Sequence, residues 1–237
     1  FNYLLSSSSI KTDDDIMLVN PTTSLILANC VDGDDDNKFV EEFVQSNNLS
    51  SKRLVLFGVH DTDFGAGDDS GGGSHWSIHQ YDRTKNSFMH YDSMEGVNNF
   101  HAMKLYDAIK EYMGPGGSEV SSSSPTSVKK QKNKKKKKFV QSVSKSELPK
   151  PESVGGGGVL SIFVECKTPQ QTYGYDCGLY VLAIAREVCQ WWSNGNNNKS
   201  GDMVKAIEKH VDHSVEVKMR SEVLEIIHDL TNKSTTN

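Results

Sequence analysis

The residues best suited to chemistry are Gln171-Thr172-Tyr173-Gly174-Tyr175-Asp176-Cys177-Gly178, a run that brings a cysteine to the head of an apolar periodic segment. Downstream, Leu179, Tyr180, Val181, Leu182, Ile184, Ala185, Val188 and Trp192 recur at three- and four-residue spacing, which predicts a core-facing helix. Cys177 then occupies the first turn. Unpaired backbone N–H groups and the positive end of the helix dipole favour an anion there, drawing a thiol below its ordinary pKa of about 8.5. A nucleophilic thiolate is the chemistry this position offers.

Amide cleavage also needs a base, a group that orients it and donors for the developing oxyanion. The Gly-rich stretch Gly71-Gly72-Gly73-Ser74 opens into His75-Trp76-Ser77-Ile78-His79-Gln80-Tyr81, which places His75 at the start of a predicted strand. A turn, Asp82-Arg83-Thr84-Lys85-Asn86, joins it to a second strand, Ser87-Phe88-Met89-His90-Tyr91, that runs out at Asp92-Ser93. The hairpin brings an imidazole toward a carboxylate. Asp92 is expected to accept the Nδ1 proton of His75 and leave Nε2 to face Cys177. Gln171, six residues before the cysteine, can offer a side-chain N–H to the oxyanion beside the backbone N–H of Cys177.

In this order, His75-Trp76-Ser77, His90-Tyr91-Asp92-Ser93, Pro169-Gln170-Gln171 and Tyr175-Asp176-Cys177-Gly178 resemble the Ulp/sentrin-type cysteine proteases of ubiquitin-like modifiers, most closely the deneddylase branch. The resemblance implies a papain-like α+β fold with permuted chain order. It assigns His75 as general base, Asp92 as its orienter, Gln171 to the oxyanion hole and Cys177 as nucleophile, with no cofactor and no metal. Trp76 reads from the residues alone as packing or as a wall over substrate. The resemblance implies the wall, covering a narrow channel for a Gly-Gly tail. Relatives also carry an upstream Trp-Leu-Asn-Asp-like segment. Nothing here matches it, and Phe1-Asn2-Tyr3-Leu4-Leu5 looks like the later half of the helix that follows it, so an N-terminally truncated chain is expected.

The implied reaction is hydrolysis after the C-terminal Gly-Gly of a ubiquitin-like modifier, Nedd/Rub first and SUMO second, by a monomer of the cytoplasm, the nucleus or both. Two other classes stay open: an inactive module that only binds such a modifier, and acyl transfer from an acyl-coenzyme A.

The 237 residues suffice for one domain with a substantial core. No stretch is long and apolar enough to span a bilayer, so no membrane partner is expected. Cys30, Cys166, Cys177 and Cys189 lack metal-type pairing and disulfide density, which suits a reducing compartment. A net charge of -5 argues against nucleic acid as partner of the whole chain. Locally that balance reverses at Lys129-Lys130-Gln131-Lys132-Asn133 and residues 134–138, all lysine, inside a Ser-, Gly-, Lys- and Pro-rich tract over 114–158. Such a tract reads as a disordered insertion, with nuclear import or nucleic-acid binding as the alternative. Asp13-Asp14-Asp15 and Asp34-Asp35-Asp36 read as solvated loops.

Periodicity further predicts a helix over 38–45, a buried strand over 53–59, a helix through Leu105, Tyr106, Ile109, Tyr112 and Met113, a strand over 159–166 and a closing helix facing the core with Met219, Val223, Ile226, Ile227 and Leu230. Strands grouped centrally between helices make an α+β domain. His60, His79, His90 and His101 read as bystanders and Cys189 as a small buried hydrophobe. Asp176 is expected to cap the helix or to meet a basic residue of the substrate.

Overall fold

A computed structural model describes residues 15–30, 34–62, 74–114, 161–195 and 203–234. The tract over 115–158, most of the expected insertion, and the chain's first residues lie outside the described residues, as do Gly71, Gly72 and Gly73.

Leu54-Val55-Leu56-Phe57 is apolar at every position because its strand is covered on both faces. That strand, β2 (Leu54–His60), lies second in a five-stranded sheet whose order follows the chain: β1 (Ile16–Val19), β2, β3 (Trp76–Asp82), β4 (Ser87–Tyr91) and β5 (Ile162–Cys166). The outer pairs β1–β2 and β4–β5 are parallel, and the β2–β3 and β3–β4 pairs are antiparallel. Six α-helices accompany the sheet among the described residues: α1 (Pro21–Ala28), α2 (Asp34–Ser46), α3 (Asn99–Met113), α4 (Cys177–Ser193), α5 (Met203–His210) and α6 (Val215–Ser234). None of them is long and apolar enough to cross a membrane.

Alternation along the strands divides the core in two. Leu54, Leu56, Ile78, Met89 and Tyr91 pack with Tyr180, Ile184 and Val188 of α4 and with Ile207 and Met219 of α5 and α6. From the opposite face, Val55, Phe57, Tyr81 and Phe88 pack with Leu27, Val40, Leu105 and Ile109 of α1, α2 and α3. The result is a sheet between two helical layers, the α+β architecture expected. Close approach of the α1 layer is visible at Gly58, where an added Cβ would stand 3.2 Å from Pro21.

The β3–β4 turn closes on its own side chain. Asp82 Oδ1 accepts hydrogen bonds from the Thr84 N–H at 2.9 Å, the Thr84 hydroxyl at 2.6 Å and the Lys85 N–H at 3.3 Å. Asn86 takes the left-handed conformation at φ 45°. This fixes Asp82 opposite Ser87, and with it the whole hairpin register.

The closing helix departs from the expected pattern. Met219 is buried and Val223 and Ile226 pack against the core, but Ile227 and Leu230 are about half exposed. The expected core face is thus buried in the first half of α6 and turns toward solvent in the second.

Candidate active site

Continuing the β3–β4 register by one pair opposes Ser77 to Asp92 and sets His75 diagonally across from the carboxylate. Diagonal neighbours are separated by about 7–8 Å, so the far end of an imidazole is what reaches across. His75 Nε2 meets Asp92 Oδ1 at 2.5 Å, with both side chains buried. This reverses the expected use of the ring: the carboxylate holds Nε2, and Nδ1 is left for the sulfur. Among the described residues no nitrogen or oxygen partners Nδ1. The Cys177 thiol interacts with the ring but does not make a hydrogen bond of ordinary geometry with it. Catalytic hydrogen bonds of substrate-free enzymes are often loose in this way.

Asp92 is gripped from three sides. Its Oδ1 also accepts the Met94 N–H at 2.9 Å, and Oδ2 accepts the Asn98 N–H at 2.9 Å. Burial works to raise this carboxyl, but the His75 ring and the two backbone donors outweigh it and hold the group below the usual carboxylate range. Asn98 does more than lend its backbone. Its buried amide donates to the His75 carbonyl at 3.2 Å and to Ser77 Oγ at 3.0 Å, and Ser77 Oγ lies 2.8 Å from His90 Nε2. His90 Nδ1 in turn stands 2.8 Å from Glu165 Oε2. Because a carboxylate only accepts, the His90 Nδ1–H donates to Glu165.

Burial also opposes charge on the ring of His75, yet the hydrogen bond to Asp92 and the nearby Cys177 sulfur raise its pKa to about 9. At the sulfur the same balance has the opposite sign. Burial works to raise the Cys177 thiol, while the His75 ring and the backbone N–H groups of Trp76 and Gly178 pull it down, with a net lowering. Both shifts favour a thiolate beside an imidazolium. Cys177 is the first residue of α4, as its periodicity predicts, and the helix buries Tyr180, Val181, Ile184 and Val188 against the sheet to hold that end in place.

Gln171 reaches the same locality. Its backbone N–H donates to the Ser93 carbonyl at 3.0 Å, and its Oε1 accepts from the Ser93 hydroxyl at 2.7 Å. Its Nε2 donates to the Tyr173 carbonyl at 2.6 Å, which leaves the amide's second hydrogen for another acceptor. Gln170 braces the junction by donating to the carbonyls of Asp92 and Thr168.

Trp76 is half-buried. Its ring centroid lies 4.1 Å from that of His60, and it lines an open cleft of about 400 Å³ with Pro21, Tyr175, Leu179, Leu182 and Arg220. Packing and a wall over the cleft are thus both features of this residue. His60, His79 and His90 stand outside the Cys177–His75–Asp92 line. His79 is enclosed by Phe88, Phe163 and His90, and burial holds it well below the ordinary histidine range, so it is neutral. Cys189 is buried, and desolvation pushes its thiol up to about 12. Asp176 occupies the N-cap position of α4, where its carbonyl accepts the Leu179 N–H at 2.9 Å, but its side chain makes no capping hydrogen bond. Its carboxylate pairs with Arg220 of the same chain.

Sequence reasoning passed over Asn98, Asp61 and Arg220. Asp61 accepts the His75 N–H at 3.0 Å and the Ser74 hydroxyl at 3.1 Å, anchoring the chain where the imidazole begins. All three act across loops, where neither periodicity nor short motifs carry a signal.

The profile of the Ulp1 protease family, C-terminal catalytic domain, matches residues 35–229. The chain belongs to the Ulp1 protease family. It is accordingly a cysteine-type peptidase. NEDD8-specific protease 1 of Arabidopsis thaliana is 26% identical over 235 residues, covering 99% of this chain and 82% of that protein. Sentrin-specific protease 8 of Rattus norvegicus is 25% identical over 190 residues, covering 80% of this chain and 65% of that protein. Among solved structures, a de-sumoylating protease superposes with a TM-score of 0.54 at 15% identity, over 98% of this chain and 81% of its own, a likeness of fold.

Proposed function

We propose that this Ulp1-family protease hydrolyses the peptide or isopeptide bond after the C-terminal Gly-Gly of a ubiquitin-like modifier, and that the modifier is of the Nedd/Rub type. The observation that carries the reaction is the line from Asp92 through His75 Nε2 and Nδ1 to a thiol lowered at the head of α4. Cys177 is the nucleophile. Its thiolate attacks the glycine carbonyl to give a tetrahedral oxyanion, for which the free hydrogen of the Gln171 amide and the backbone N–H of Cys177 are the donors. The protonated Nδ1 of His75 then gives its proton to the leaving amine as the C–N bond breaks, leaving a thioester. Neutral His75 takes a proton from water, the hydroxyl attacks the thioester, and Cys177 returns as thiolate with the imidazolium restored. Asp92 holds the ring and its charge throughout.

The modifier assignment is supported by the similarity along nearly the whole chain to the Arabidopsis protein named a NEDD8-specific protease. Trp76 and the apolar cleft beside the nucleophile suit a slender glycine tail. The test is parallel reaction with propargylamide derivatives of Nedd8, SUMO and ubiquitin. Labelling of Cys177 by the Nedd8 probe well ahead of the others is expected, and absent from Cys177→Ala. Preferential labelling by the SUMO probe would reassign the substrate. Labelling by none would leave a binding module.

A further inference from the structure

The loop that delivers the nucleophile is held from a distance in sequence, by the first turns of α6. Glu216 Oε1 accepts the Thr172 N–H at 2.8 Å and the Tyr180 hydroxyl at 3.1 Å, while His213 Nδ1 lies 3.0 Å from the Thr172 hydroxyl. At the other end of the loop, Arg220 pairs with the buried carboxylate of Asp176, and its guanidinium stands 5.7 Å from the ring centre of Tyr175. Tyr175 is stacked on Tyr173 at 5.6 Å. One helix thus grips residues on both sides of Gly174.

The Asp176 contact has a meaning beyond bracing. A carboxylate 1% exposed, immediately before Cys177 and without a capping bond to α4, places negative charge at the helix end that should favour a thiolate. We infer that Arg220 is a positioning residue for the proposed reaction: it offsets the Asp176 charge beside the nucleophile and holds the Gln171–Cys177 loop against α6. This inference rests on the protease reading above. His75, backed by Asp92, is the charged group acting on the sulfur; Tyr180, Glu216, Asp212 and His213 stand around the loop, and among the described residues Arg220 is the cation paired with Asp176.

The experiment follows the alkylation of Cys177 by iodoacetamide against pH, read on its own peptide by mass spectrometry, in wild type, Arg220→Met, Arg220→Lys, Asp176→Asn and the Asp176→Asn/Arg220→Met pair. An uncompensated carboxylate at this range disfavours the thiolate, so Arg220→Met should lower alkylation at neutral pH about tenfold. Asp176→Asn should shift the profile the other way, toward lower pH. The double variant should return to within about twofold of wild type, since the two charges act through one another. Arg220→Lys keeps the charge without the fork and should lie between wild type and Arg220→Met. On a Nedd8 fluorogenic amide, Arg220→Met should lower kcat, while Arg220→Lys should recover part of it. An Arg220→Met or Asp176→Asn profile that superimposes on wild type overturns the inference, as does a double variant no closer to wild type than Arg220→Met. Should Arg220→Met not fold, Asp176→Asn and the double variant decide by the same criteria. Wild-type Cys177 alkylating no faster than buried Cys189 would instead remove the protease reading itself.

Discussion

In the proposed reaction the thiol of Cys177 is lowered by a few groups converging on one sulfur: the His75 ring and the N–H groups of Trp76 and Gly178. With the thiol lowered and the imidazole raised to about 9, the charged pair is favoured on the acid side of pH 9. The kcat/KM profile should therefore rise with pH below the ordinary thiol range, as the thiolate forms, and fall near pH 9, as His75 loses the proton it gives to the leaving amine. A single rising limb centred near a free thiol's pKa would contradict the pair. Asp92→Asn keeps the shape of the site but removes the charge opposite Nε2; kcat should drop about 10²-fold or more with KM little changed, measured by steady-state turnover. Asn98→Ala removes the donor to Ser77 and the His75 carbonyl while sparing the backbone N–H to Asp92. A stability loss of about 1–3 kcal/mol in urea is expected, because buried acceptors lose their partner.

The hairpin of β3 and β4 carries base and carboxylate on one rigid unit, and the Asp82 side chain fixes its register. Asp82→Ala should cost about 1.5–3 kcal/mol, as hydrogen bonds to a buried charged group do. The surviving folded fraction should keep the wild-type alkylation profile of Cys177, since the turn lies at the far end of both strands. A shifted profile would mean that register, and not stability alone, depends on this turn. Helix α4 is positioned differently, by its buried face. Ile184, 1% exposed between α4 and the sheet, is the probe for that: Ile184→Ala should destabilise by about 2–5 kcal/mol by chemical denaturation.

Across the molecule, the site forms where one helical layer meets the ends of two strands, so chemistry and stability share groups. Asp92 is held below the usual carboxylate range in the folded state. Its contribution to stability is fully present above the unfolded carboxyl pKa of about 3.9 and is lost as pH falls through the lower folded value. Acid unfolding followed by circular dichroism should accordingly be less pH-dependent in Asp92→Asn than in wild type, in the range below about pH 4. Equal dependence would place the acid sensitivity elsewhere.

Much of this architecture is legible in the residue order. Core helix α4 announces itself by the period that one-sided burial imposes, β2 by an unbroken apolar run, and β3 and β4 by the turn residues between them. His75, Asp92 and Cys177 stand out by type at the ends of elements, and Gln171 in the loop that leads into α4. Short or weakly periodic pieces do not: β1 has four residues and α1 and α5 eight each, too few for a pattern to rise above composition. The exposed Ile227 and Leu230 show the converse, a period that continues past the core it once faced.

By itself, then, the sequence determined which groups could react and which elements would carry them, because side-chain chemistry and periodicity are local. Only the tertiary structure decided which ring nitrogen meets Asp92, that Asn98 and Asp61 hold the base in place, and that Asp176 finds its partner in Arg220. Those outcomes depend on distances across the sheet and between helices far apart in the chain, which linear spacing does not encode.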